Sequence, residues 1–150
     1  MPTRTFWPKY AQLTPDPLFL DVERHILVCS VEAIPGNVPR GLSPRATSAR
    51  RRRLAERAHR VTGGPTRHIT MTAASVRAGG GDRGVEVDFE TQDGIVDGYR
   101  SYQLLVEQRE RWPSDQLIEF EILTGSGRPR AREIAGRLNT PLRAQDAATR

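Results

Sequence analysis

Two stretches of this chain alternate apolar and polar side chains: VEVDFE over residues 85–90 and the centre of LIEFEIL over residues 117–123. Successive side chains of a β-strand point to opposite faces, so a period of two describes strands with one face in a core and the other in water. In LIEFEIL the wet face carries Glu119 and Glu121. Such strands demand a sheet with a covered side and exclude an all-helical fold. ITMTAASVR, residues 69–77, has the same character, and the GGGDRG segment that separates it from VEVDFE reads as a hairpin connection. Those glycines join strand to strand and lack the Lys-Ser/Thr of a phosphate loop, so they read as a turn and not as a nucleotide cradle. ILVCSVEAI, residues 26–34, is apolar and β-branched enough for a buried strand. The single cysteine, Cys29, lies inside it, which excludes an internal disulfide and a cysteine-based zinc site.

Between the strands the period changes to that of a helix. Leu54, Ala58 and Val61 mark a helix over about 47–61, with Thr47 or Ser48 as its cap and Gly63-Gly64-Pro65 as its stop. Tyr102, Leu105 and Val106, flanked by Tyr99 and Trp112, mark a second over 99–111, which Pro113 ends. Ala131, Ile134, Ala135 and Leu138 mark a third over 130–138, opened by Pro129 and closed by Asn139, Thr140 and Pro141. The order predicts a small α/β domain of the mixed α+β kind, a mixed sheet packed by three helices. Pro2, Pro8, Pro15 and Pro17 predict an irregular arm over 1–18, pinned by Phe6, Trp7 and Tyr10. The chain accordingly divides into an N-terminal arm (1–25), a core (26–142) and a loose tail (143–150).

At 150 residues and 37% hydrophobic side chains the chain supports one modest core. It has no apolar run of 18 residues, and its N-terminus lacks the pattern of a secretory signal, so a cytoplasmic protein without a membrane partner is expected. Of 23 basic residues all but Lys9 are arginine. Residues 1–75 carry 12 basic and 5 acidic side chains, net +7, whereas residues 76–150 carry 11 and 13, net −2. This asymmetry predicts one electropositive face that attracts phosphates. On a helical projection Arg50, Arg53, Arg57 and Arg60 form a stripe beside the apolar stripe of the first helix, either a solvated flank or a surface that tracks the phosphates of a nucleic acid.

The junction GIVDGYRSYQLL, residues 94–105, runs from an extended stretch over Asp97-Gly98 into the second helix. Asp97 can serve as its N-cap. Alternatively Asp97, Gly98 and Arg100 form an anion site, since Gly98 lets a ligand approach the backbone and Arg100 sits in a first turn where the helix dipole disfavours a cation without an anionic partner. His25, His59 and His68 show no metal-ligand spacing. His68, two residues before Thr70, can face the Asp97 turn as a general base, or be no more than an exposed strand end.

Three segments also resemble the core of the abortive-infection phage-resistance (AIPR) proteins and, more distantly, DGQHR proteins and ParB and sulfiredoxin type domains. HITMTAASVR resembles the family's Asn-Gly-Ile-Thr strand. GIVDGYRSYQLL resembles its Ile-Val-(Asp/Asn)-Gly-Gly-(His/Gln)-Thr segment, and EIAGRLNTPLRAQD its helix ending in Asn-Thr. Ile69, Thr70, Asp97, Gly98, Tyr102, Asn139 and Thr140 match. The chain departs where relatives carry Asn-Gly before Ile-Thr, having Arg67 and His68, and after Asp-Gly, having Tyr99 and Arg100. The resemblance spans roughly residues 26–148 and implies a ParB-like fold with a pocket beside the Asp-Gly turn. The implied role is a nucleotide- or nucleic-acid-binding domain. Asp97 and His68 are then the candidate catalytic groups, and Gly98, Tyr99, Arg100, Thr70, Tyr102, Asn139 and Thr140 the ligand contacts. Two other readings stay open: a small enzyme of phosphate transfer or hydrolysis, and a non-catalytic interaction module. No cofactor is specified, and a homodimer is compatible with the sequence.

Overall fold

The computed structural model describes residues 3–19, 21–41, 68–79, 84–113 and 115–132. The expected helix at 47–61 with its arginine stripe, and Asn139 and Thr140, lie outside them. The described strands form two sheets. One has three strands, β1 (Thr3–Phe6), β6 (Val85–Asp88) and β5 (Ser75–Ala78), in the order β1-β6-β5 and all antiparallel. The other has five, in the order β2 (Tyr10–Phe19), β3 (Val22–Ser30), β8 (Leu117–Thr124), β4 (His68–Thr72) and β7 (Gly94–Asp97). Its pairs are antiparallel except β4 with β8, which run parallel. The fold is mixed α+β. Helix α1 (Tyr99–Glu107) follows β7, and a further helix begins at residue 128. No described helix is long and apolar enough to cross a membrane.

Thr3–Phe6 and Tyr10–Phe19 are strands where an irregular arm was expected. Phe6 of β1 is fully buried and meets Phe120 of β8 edge to face, with ring centroids 5.3 Å apart. Burying a phenylalanine this completely stabilises by about 3–5 kcal/mol relative to alanine. The prolines are accommodated because β2 is an edge strand, where a missing N–H breaks no ladder on the open side. Its register with β3 shifts between Gln12 and Asp16, so Pro15 falls in the irregular stretch.

The stretch 69–77, expected as one strand, is two. The N–H of Ala73 donates to Leu123 in the five-stranded sheet (2.9 Å), and that of the next residue, Ala74, donates to Asp88 in the three-stranded sheet (2.7 Å). The chain thus changes sheet at two small residues, and only β5 forms the expected hairpin with β6. The strand expected at 26–34 is shifted too: β3 runs Val22–Ser30, and Val31–Ala33 form a 3-10 turn.

The alternation of LIEFEIL has the expected consequence. Ile118, Phe120 and Ile122 are fully buried with Leu27, Cys29, Ile69 and Met71, while Glu119 and Glu121 occupy the opposite face. Helix α1 buries Tyr102 and Leu105 in the same core, as its stripe predicts. On the face with the glutamates, Val22, Leu123 and Ala131 form a second small cluster beneath the helix that begins at 128. Arg128 and Arg132 of that helix both donate to the buried carboxylate of Asp93 at the β6–β7 turn, at 3.0 and 2.8 Å.

Candidate functional site

The junction between β7 and α1 turns on a glycine. Asp97 is the last residue of β7, opposite Thr70 of β4, and the N-cap is Gly98, with φ 87° and ψ 18° and no side-chain capping bond. The expected N-cap position of Asp97 is therefore corrected: the left-handed turn falls on the glycine and moves the helix start one residue on. Gly98 is also required by packing. A methyl group there would stand 3.3 Å from the carbonyl oxygen of His68 and 3.3 Å from the Ile69 side chain. The start of α1 is thereby seated directly on the first residues of β4.

Two arginines stand at this start, and Asp97 directly precedes it. The first turn of α1 holds no acidic residue, and Arg100 in it is exposed. Arg40 lies over the ring of Tyr99, its guanidinium carbon 5.4 Å from the centroid, a cation–π contact that keeps a second guanidinium at the same end of the helix. The segment 39–41 is tied to β7 by the Gly41 N–H to Ile95 and the Ile95 N–H to Pro39, both 2.9 Å. Tyr102 holds the same loop. Its hydroxyl donates to Pro35 at 2.5 Å and accepts from the Val38 N–H at 3.0 Å, and Tyr102 is buried. With its hydroxyl engaged on both sides, Tyr102 acts as a tie between α1 and the loop and not as an exposed ligand contact. Arg109 donates to the carbonyls of Val31, Glu32 and Ile34 and closes the loop's first turn.

The sheet face beside the junction is polar. Residues opposite one another in adjacent strands share a face, and the pairings Asp97 with Thr70, Thr70 with Glu121, and His68 with Glu119 place these five side chains together. His68 Nδ1 stands 2.8 Å from Glu119 Oε2, and His68 Nε2 3.3 Å from Thr70 Oγ1. Thr70 Oγ1 is also 3.4 Å from Glu121 Oε1. Glu121 in turn meets Arg24 at 3.5 Å, and Arg24 meets Asp16 at 3.5 Å. Among the described residues no group of three or more His, Cys, Asp or Glu could hold a metal ion.

The structure thus brings His68, Thr70 and Asp97 together with Glu119 and Glu121 on the sheet face opposite the core, and groups Gly98, Tyr99 and Arg100 with Arg40 at the start of α1, on the core side of the sheet. The two glutamates were legible only as a wet strand face, because nothing local says which strand pairs with theirs. Arg40 carried no signal in a proline- and glycine-rich loop. His25 proves structural: it is buried, with Nδ1 3.0 Å from the Leu13 carbonyl and Nε2 3.1 Å from the Thr124 hydroxyl, and burial lowers its pKa below the ordinary 6.5. Cys29 is buried, and burial pushes its thiol up to about 12, which suits a core residue and not a nucleophile. Comparison of the chain with protein-family models, with curated proteins and with solved structures finds no match.

Proposed function

We propose that the chain binds the phosphate of a nucleotide or nucleic acid at the start of α1, in the manner of the phage-resistance domains its motifs resemble, and that it does so in the cytoplasm. The observation that carries this reading is the charge at that helix end: two guanidinium groups, Arg40 and Arg100, stand at a helix N-terminus that has no acidic residue in its first turn. Like charges gathered at the positive end of a helix dipole raise the energy of the free protein, and an anion bound there lowers it. Asp97, at the end of β7, is the one carboxylate next to them in sequence, and it can orient Arg100 or accept a proton from a ligand.

Titration with pyrophosphate, nucleoside triphosphates and duplex DNA at low salt tests the proposal. Replacing both Arg40 and Arg100 with Gln is expected to weaken pyrophosphate binding about tenfold or more while sparing the fold. If nucleic acid is the ligand and the Arg50, Arg53, Arg57 and Arg60 stripe takes part, changing all four to Gln flattens the slope of log affinity against log salt by roughly 3–4. An unchanged slope assigns the stripe to solvated surface and leaves the nucleotide reading. Absence of binding to all three ligands refutes the proposal.

A further inference from the structure

The two faces of the five-stranded sheet are covered unequally. Its core face carries α1 and, through Phe6, the three-stranded sheet. On the opposite face the described cluster of Val22, Leu123 and Ala131 lies at one end, where the helix from residue 128 packs. The other end is the one at which β4 begins and β7 finishes. There the strand register sets Tyr10, Val28 and Glu119 in one row across the sheet and Ile26, Glu121 and Asp97 in the next. The half of this patch on β2 and β3 is apolar, and the half on β8 and β7 is acidic. Arg24, 3.5 Å from both Glu121 and Asp16, leaves it with a negative excess. Ile26 and Thr70 of the second row retain only 8% and 5% of their surface, a depth of burial that an open sheet face does not give.

We propose that this patch is the docking surface for the chain's own arginine-rich segment, residues 42–67, whose helix, expected over 47–61, lies obliquely across the two rows. The ends of the segment point to this occupant. Gly41 is bonded to Ile95 of β7 and runs parallel to that strand, and His68 opens β4, the next strand of the sheet, so the chain leaves and returns at the same end of the sheet. The links on either side of the helix each reach about 20 Å, enough to bring it over β3, which is about 14 Å from β7 at the usual strand spacing. Charge points the same way. Residues 42–67 carry eight arginines and one glutamate, net +7, against the carboxylates of the patch. The pattern of the helix then fits the pattern of the sheet. At about 100° per residue, Arg50 and Arg57 lie about 45–65° from the centre of the stripe of Leu54, Ala58 and Val61, and Arg53 and Arg60 about 105–125° from it. An apolar stripe with two arginines on one flank matches an apolar half-face with Glu119, Glu121 and Asp97 on one flank. Seated this way, Leu54, Ala58 and Val61 cover Tyr10, Ile26 and Val28, and Arg50 and Arg57 donate to the carboxylates partly out of water, where charge-assisted bonds are strong. The docking is independent of any ligand at α1.

The test is cross-linking in the full chain. Cys29→Ala, Val28→Cys and Ala58→Cys are combined, a short bismaleimide is added to the folded protein, and circular dichroism checks the fold. Peptide mapping is expected to find positions 28 and 58 linked within one chain, and the link is expected to be lost when Glu56→Cys, on the far side of the helix, replaces Ala58→Cys. A folded protein without the 28–58 link overturns the proposal. A 28–28 link between molecules that grows with protein concentration seats a second copy on the face and overturns it too, as does a link from position 28 to Leu138→Cys in place of 58, which seats the continuation of the helix from 128. A charge swap gives an independent measurement. Arg50→Glu with Arg57→Glu, and separately Glu119→Arg with Glu121→Arg, are each expected to lower the urea midpoint by about 0.5–1 M, and the four changes together are expected to recover at least about half of the summed loss. Losses that add in the fourfold variant overturn the pairing of these arginines with the sheet.

Discussion

Replacing Gly98 with alanine tests the two demands that the β7–α1 junction places on one residue. At φ 87° an L-residue sits in the left-handed region, which costs about 1–2 kcal/mol. Alanine recovers about 0.4–1 kcal/mol of this by restricting the unfolded chain. The new methyl group also meets the His68 carbonyl and Ile69 at 3.3 Å, so β4 or the helix start has to give by a few tenths of an ångström. The net expectation is a loss of about 1–2 kcal/mol, which for a typical urea dependence of about 2 kcal/mol per molar lowers the unfolding midpoint by about 0.5–1 M. Gly98→Asn separates the causes. Asparagine tolerates the left-handed region but carries the same Cβ, so it should lose distinctly less than alanine, and what it still loses measures the contact with β4. Urea unfolding followed by circular dichroism gives both values, and pyrophosphate titration of the folded variants shows whether moving the helix start weakens the anion site. An alanine variant as stable as the parent, or an asparagine variant as costly as alanine, refutes this account of the junction.

Other consequences are as direct. Tyr102→Phe leaves the buried Val38 N–H and the Pro35 carbonyl without their partner and should cost about 1–3 kcal/mol in urea unfolding, with weaker pyrophosphate binding because the loop carrying Arg40 loosens. Stability should also depend on pH through two groups. The folded-state pKa of His25 lies below its ordinary 6.5, so the unfolded chain binds more protons once the pH falls past 6.5, and stability declines there by at most about 1.4 kcal/mol per pH unit while staying flat above it. His25→Asn should remove that part of the pH profile. Asp88 is held at about 2, against an ordinary 3.8, by hydrogen bonds from Ser75 and Thr3 and by Arg77. Its contribution is therefore full above 3.8 and is lost as the pH falls towards 2, a second decline that Asp88→Asn should abolish.

Period-two alternation determined that residues 117–123 form a strand and which of its faces is wet, because side-chain direction in a strand is a local property. The stripe of α1 and the burial of Cys29 were legible for the same reason: each follows from a dozen residues or fewer and the tendency of apolar groups to leave water. Local composition misled where tertiary contacts outweighed it. Pro15 and Pro17 argue against a strand until β2 is seen to be an edge, and ITMTAASVR reads as one strand until Ala73 and Ala74 are seen to bond to different sheets. At the candidate site the sequence supplied Asp97, Gly98 and Arg100 as one junction and suggested that His68, two residues before Thr70, faces it. Only the parallel pairing of β4 with β8 put Glu119, 51 residues along the chain, against His68, and only the loop held by Tyr102 and Arg109 placed Arg40 over Tyr99. Strand partners and loop paths depend on how the whole core packs, and that long-range free energy decided which isolated charges became neighbours.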